Sequence, residues 1–190
     1  MSHNRYNSSC RLQQTSFLAN EKDHTLNHKY FDMSILKITI ICVGKLKEQA
    51  YQQLDKEFRK RLSPFMKLKI IELPEEPYRA KDDLDRIRQM ESEAIQKNIP
   101  ANSLVILLKE NGTIKDSKEF AQSLERLGSL GQEIVFVIGS GVGLHPVLNE
   151  QANYVYSLSK LTFPHNLARI VLLEQLYRAT TLMLGKKYHK

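Results

Sequence analysis

Apolar and polar positions along this chain change their period several times, and each change marks an element. "LKITIICV" (Leu36–Val43) is a short β-branched run closed by Gly44, the pattern of a buried strand. "KEQAYQQLDKEFRKRL" has helical spacing, with Tyr51, Leu54, Phe58 and Leu62 on one face and Ser63-Pro64 ending it. "LKIIEL" (Leu68–Leu73) reads as a second strand stopped by Pro74, and the loop "PEEPYRAKDD" leads into a polar helix that runs through about Asn98. "SLVILL" (Ser103–Leu108) is a third strand and "ENGT" a turn. "DSKEFAQSLERLG" is a helix opened by Asp116 or Ser117, whose side chains can cap free N–H groups. "EIVFVI" (Glu133–Ile138) is a fourth strand, followed by a tight loop holding Gly139, Gly141 and Gly143. Leu144 to Gln151 reads as a short helix and "YVYSLS" (Tyr154–Ser159) as a fifth strand. A long apolar helix closes the chain, from about Pro164 to Leu184.

Strands alternating with helices predict an α/β fold with a mostly parallel sheet and helices on both faces. Ligands in such folds sit at the carboxyl ends of the strands. Three loops lie there: after Leu108, after Ile138, and from Leu158 to Phe163. Residues Met1 to Asp32 break the pattern. They are rich in Asn, Ser, Gln and His with neither period, which predicts a disordered extension before a single domain running from Met33 to Lys190. His3, His24 and His28 are scattered through that extension without metal-site spacing.

Composition narrows the class. No run approaches the roughly 18 consecutive apolar residues of a membrane helix, and the N-terminus has no signal-peptide h-region, so a cytoplasmic protein is expected. Cys10 and Cys42 have neither metal nor disulfide spacing, and Cys42 belongs to a core strand. The net charge is +7. From Lys160 onward Lys160, Arg169, Arg178, Lys186, Lys187 and Lys190 face Glu174 alone, which fits either a solubilising terminus or a phosphate-binding surface.

Two stretches carry candidate chemistry. "VIGSGVGL" spaces its glycines G-x-G-x-G, one residue short of the dinucleotide fingerprint. It follows the fourth strand rather than the first, and no acidic residue follows at the required distance. Three glycines still allow close backbone approach to a ligand. The second stretch, "SLSKLTFPHNLARIVLLEQLYRA", sets His165 just after Pro164 at the start of a helix, with Arg169 one turn on. A neutral imidazole there can accept a proton or a hydrogen bond, and equally it can serve as a surface or capping histidine. Arg178 stands four residues from Glu174 and is expected to pair with it.

"FVIGSGVGL", "SLSKLTFPHNLARIVLLEQLYRA" and the terminal "KYHK", with "KITIICVGKLKE" at the front, together resemble a known family. It is the bacterial large-subunit ribosomal RNA (pseudouridine N3) methyltransferase H family, of the SPOUT class, and the likeness spans Met33 to Lys190. The resemblance implies a C-terminal trefoil knot, an exception to the rule against knots. It also implies S-adenosyl-L-methionine as methyl donor, held by Leu108, Gly139, and Leu158, Ser159, Lys160, Leu161, Thr162 and Phe163. His165, Arg169, Tyr188 and His189 are the implied catalytic residues. The implied partners are large-subunit rRNA within the ribosome and a second copy of the chain, with neither metal nor membrane. Two positions depart from the family pattern: Ser140 stands where a second glycine is common, and Lys109 where an acid is common, though Glu110 follows. The rival readings are a ribosome-associated binding protein without catalysis and a nicotinamide-dependent oxidoreductase.

Overall fold

The computed structural model describes residues 36–79 and 83–185. The expected N-terminal extension, Met1 to Asp32, lies outside the described residues. The elements are β1 (Lys37–Val43), α1 (Gln49–Leu62), β2 (Lys67–Leu73), α2 (Leu84–Asn98), β3 (Leu104–Ile114), α3 (Ser117–Gly128), β4 (Ile134–Ile138), β5 (Tyr154–Ser157) and α4 (His165–Met183). A single 3₁₀ segment, Pro146–Glu150, stands where the short helix was expected. The five strands form one sheet in the order β2-β1-β4-β3-β5, and every pairing is parallel. Parallel strands need crossovers, and the helices supply them.

Alternating side chains of the sheet feed two cores. On one face Ile38, Ile40, Ile106 and Phe136 pack with Leu62 of α1, Leu124 and Leu127 of α3, and Leu172, Leu173 and Leu176 of α4. On the other, Ile41, Val105, Leu107, Val135 and Val137 pack with Ile95 of α2 and with Leu148. Burial on both faces explains why the strands read as continuous apolar runs rather than alternating ones.

Local signals account for the helix starts. Asp83 accepts hydrogen bonds from the N–H groups of Asp85 and Arg86 at 3.0 and 3.3 Å, opening α2. Asp116 and Glu119 form a reciprocal capping box at the start of α3. Pro164 is the N-cap of α4, so the proline precedes the helix and His165 is its first residue.

Two sequence expectations change. On α1 the inward face is Tyr51, Asp55, Phe58 and Leu62, whereas Leu54 is 43% exposed. Steps of four, three and four residues select Asp55 over Leu54, and a buried carboxylate is tolerated there because a cation meets it. The expected turn Glu110–Thr113 lies inside a longer β3, whose pairing with β5 breaks after Leu108 and resumes at Thr113. The intervening residues bulge out of register. Gly112 is what lets the chains close again: a Cβ there would sit 2.4 Å from the carbonyl carbon of Tyr156 and 2.8 Å from the nitrogen of Ser157.

Gly112→Ala therefore drives a methyl into backbone that cannot swing aside. It is expected to destabilise by on the order of 1–3 kcal/mol, the range of overpacked sites, which is several degrees of melting temperature in a chain of this size. Gly131→Ala, in open space at φ +72°, should suffer only the milder left-handed strain. A thermal melt in which the two variants lose equally would contradict the close approach at Gly112.

Candidate functional site

The bulge of β3 after Leu108 and the carboxyl ends of β4 and β5 open onto one cavity of about 790 Å³, inside the range of small-molecule sites. Its walls come from that bulge, from the loops that leave β4 and β5 and from the first turn of α4. Leu108, Gly139, Leu158, Ser159, Leu161, Thr162 and Phe163 all line it, as do His165 and Ala168. Lys160 points elsewhere: it is exposed and not part of the lining, because the chain turns there with Leu161 N–H donating to Ser159 Oγ at 2.9 Å. The lining also includes Lys109, Glu110 and Asn111 from the bulge and the whole loop from Ser140 to Leu144. Lys109 is tethered away from the centre, its Nζ donating to Asn149 Oδ1 at 3.2 Å.

The glycine loop is a tight antiparallel reversal, with Gly143 N–H donating to Ser140 O at 3.1 Å and Gly143 at φ +81°. A Cβ on Gly139 would lie 2.9 Å from Leu144 Cδ2 and 3.0 Å from the Gly143 carbonyl carbon. A side chain at 139 would crowd the loop where it folds back on itself. The loop runs on to the short 3₁₀ segment, so it offers no long helix N-terminus to a pyrophosphate. That removes the physical basis of the dinucleotide reading.

His165 sits at the edge of the cavity, against β1's outgoing turn. Gly44, at φ +92°, passes so close that a Cβ there would be 3.0 Å from His165 Nε2 and 3.7 Å from Glu75 Oε2. Gly44, His165 and Glu75 therefore converge on one spot, although they are far apart in sequence. Spacing rules carry no signal for such a meeting.

Arg169 is not at the cavity. It is 4% exposed, and its Nε and Nη2 both donate to Asp55 Oδ1, at 3.0 and 2.9 Å. Its Nη1 donates to Glu72. Burial works against the guanidinium charge, but the hydrogen bond to Glu72 and the Asp55 carboxylate outweigh it and hold the pKa above arginine's ordinary value. The expectation that Arg169 meets a phosphate or a substrate carbonyl gives way to a cross-link between α4, α1 and β2. Cys42 lies beside this cluster, and burial pushes its thiol up to about 12, so it stays protonated. Arg178 donates to Glu174 from Nε at 3.0 Å, as its spacing suggests. Arg169 and Arg178, two of the six basic residues read from the final stretch, are thus paired within the chain. Tyr188 and His189 lie outside the described residues, as do Lys186, Lys187 and Lys190. Among the described residues no cluster of His, Cys, Asp and Glu could hold a metal ion, and no helix is long and apolar enough to cross a membrane.

An all-parallel α/β sheet with its cavity at the glycine loop and the loop before α4 is the architecture of a SPOUT methyltransferase. The family model described as a predicted SPOUT methyltransferase matches residues 36–189, and the chain belongs to that family. A curated relative from Caldicellulosiruptor saccharolyticus, named ribosomal RNA large subunit methyltransferase H, is 43% identical over 153 residues, covering 80% of this chain and 99% of that protein. The chain is a methyltransferase.

Removing the Arg169 charge strands Asp55 and Glu72. Arg169→Leu is expected to destabilise by about 3–5 kcal/mol, the toll of breaking a buried pair. Arg178→Ala, in an i,i+4 pair whose side chains keep about 23% of their exposure, should cost clearly less than Arg169→Leu. Denaturant unfolding compares them, and similar losses for both would refute the cross-link.

Proposed function

We propose that the chain transfers the methyl group of S-adenosyl-L-methionine to N3 of a pseudouridine in large-subunit ribosomal RNA, on the assembled ribosome. The observation that carries the reading is the cavity at the strand ends with His165 on its wall, in a chain so similar to a protein named for rRNA methylation.

The lining suits the donor. Leu108, Ile138, Leu144 and Phe163 supply apolar surface for an adenine ring, while loop backbone and the hydroxyls of Ser159 and Thr162 supply polar contacts for ribose and the amino-acid end. Glu110 lines the same space and contributes a carboxylate in place of the acid that Lys109 replaces. Bound there, the donor supplies a methyl on a sulfonium, already a good leaving group, so no metal is needed. The chain's own work is to hold N3 in line with that methyl and to remove the N3 proton. His165 is the candidate: as N3 bonds carbon and the sulfur–carbon bond breaks, the imidazole takes the proton. Arg169 has no part in this step, since its donors are committed to Asp55 and Glu72.

The same reading includes a trefoil knot at the C-terminal loops and a homodimer in which the tail bearing Tyr188 and His189 completes the partner's site. The apolar length of α4 is a weaker argument for the dimer than its composition suggests, because Leu172, Leu173, Leu176 and Met183 are buried within the chain itself. Leu161, 74% exposed at the cavity mouth, is the apolar residue that a partner would cover. The described residues form one α/β unit, and specificity on this reading comes from the assembled ribosome. Met1 to Asp32 precede the matched family span and are dispensable on this reading, in keeping with a cytoplasmic enzyme whose domain begins near Met33.

Labelled methyl transfer should reach whole ribosomes far better than naked rRNA, and no transfer to either would defeat the proposal in favour of a non-catalytic binding protein. His165→Ala should lose on the order of 10²–10⁴ in rate, the usual worth of a general base, with donor affinity kept. Gly139→Val should lose donor affinity first, because the loop cannot close over its side chain. His189→Ala is expected to weaken ribosome binding and flatten its salt dependence. A His165→Ala enzyme with the parent's rate would remove the imidazole from the chemistry.

A further inference from the structure

α2 is a polar helix on the far side of the sheet from α4, yet it buries an acid. Glu91 is 4% exposed, and among the described residues no cation pairs with it. An isolated buried carboxylate is costly unless hydrogen bonds satisfy it. Glu91 has two such bonds, one from the cavity lining and one from the segment after β2. Ser140 Oγ donates to its Oε2 at 2.7 Å, and the backbone N–H of Glu76 donates to its Oε1 at 3.2 Å. Burial raises the Glu91 pKa, and the neighbouring Glu75 and Glu76 add to that, while the Ser140 hydroxyl and the Glu76 N–H pull it down. The two donors are what make the ionised form tolerable.

Each donor belongs to a segment that shapes the site. Ser140 lines the cavity, and its Oγ also accepts from Val142 N–H at 3.3 Å, so the hydroxyl sits inside the glycine turn and ties it down to α2. Glu76 lies in the segment after β2. Its neighbour Glu75 reaches the Gly44–His165 meeting point, and Tyr78 places its hydroxyl 3.2 Å from where a Cβ on Gly141 would be. One carboxylate thus fastens the glycine loop and the strap beside His165 to the same point.

We propose that Glu91 is a positioning residue for the methyl donor, acting through Ser140 to hold the glycine loop at the height the donor needs. The inference rests on the reading that the cavity takes S-adenosyl-L-methionine. Glu91 itself touches neither donor nor RNA. Its action is to hold the loop through the Ser140 hydroxyl.

The test is calorimetry of S-adenosyl-L-methionine with the full chain and four variants, each held well below its own melting temperature. Glu91→Ala and Ser140→Ala should each weaken donor affinity about ten- to a hundredfold, by analogy with the loss of outer-shell supports at other sites. The double variant should be no worse than the weaker-binding single one, because both cut the same link. Glu91→Gln should stay within about threefold of the parent, since a hydroxyl can accept from an amide as readily as it donates to a carboxylate. A merely structural role would lower melting temperatures without this pattern of affinity and rescue. Parent affinity in Ser140→Ala overturns the proposal even if Glu91→Ala does not fold, and additive losses in the double variant overturn it too. If the parent chain takes no donor, the reading of the cavity falls and this inference falls with it. A parent that binds donor while its variants bind equally well defeats the role of Glu91 alone.

Discussion

Five strands that all run one way put all their carboxyl ends on one edge of the sheet, and that constraint organises the molecule. Neighbouring strands in a parallel sheet cannot be joined by hairpins, so each return passes over a face and each departure leaves from the same edge. The bulge of β3 and the loops after β4 and β5 are therefore neighbours despite their separation in sequence. The order β4-β3-β5 at that end brings them side by side, and the cavity is the gap between them. The edge that collects the loops also collects their free backbone groups, which is why a ligand fits there more readily than at the opposite edge.

The position of α4 depends on a second interaction. The helix lies against α1 and α3 over one face, and Arg169 is buried at its contact with α1, bridged to Asp55 and to Glu72 on β2. Breaking a buried pair is costly even where the intact pair adds little net stability, so the cluster specifies where the helix sits more than it stabilises the fold. Fixing Arg169 fixes the turn before it, and that turn ends in His165 beside Gly44. An arginine that looks like substrate chemistry in the sequence works instead as the anchor that aims a histidine.

That substitution of roles shows what was legible in the sequence and what was not. Strands, crossover helices and the three loops follow from local periodicity, because a strand buried on both faces must be apolar throughout and a helix start must cap its N–H groups. The loop residues were legible for the same reason: loops at strand ends are found by finding the strands. Pairings across the fold were invisible. Nothing in the local pattern marks Asp55 for burial in place of Leu54, and only a tertiary partner more than a hundred residues away reverses the two. Glu91 and Glu75 lay in polar stretches with no period to single them out. The bulge at Gly112 passed for a turn, since glycine after asparagine signals a reversal unless a neighbouring strand, here β5, captures the chain on the far side.

A cavity whose walls include a glycine loop has a particular weakness and a particular tolerance. At Gly139 an added methyl would crowd the loop as it folds back, whereas the Lys109 side chain can swing onto Asn149. The glycines of such a wall have no side chains of their own to brace it. Their stiffness has to come from below, through bonds that leave the ligand-facing groups uncommitted. Ser140 meets that requirement by turning its hydroxyl away from the cavity and down to α2, where burial protects the bond from competition by water. The helix that covers the opposite face of the sheet is thereby bonded to the loop at the sheet's edge.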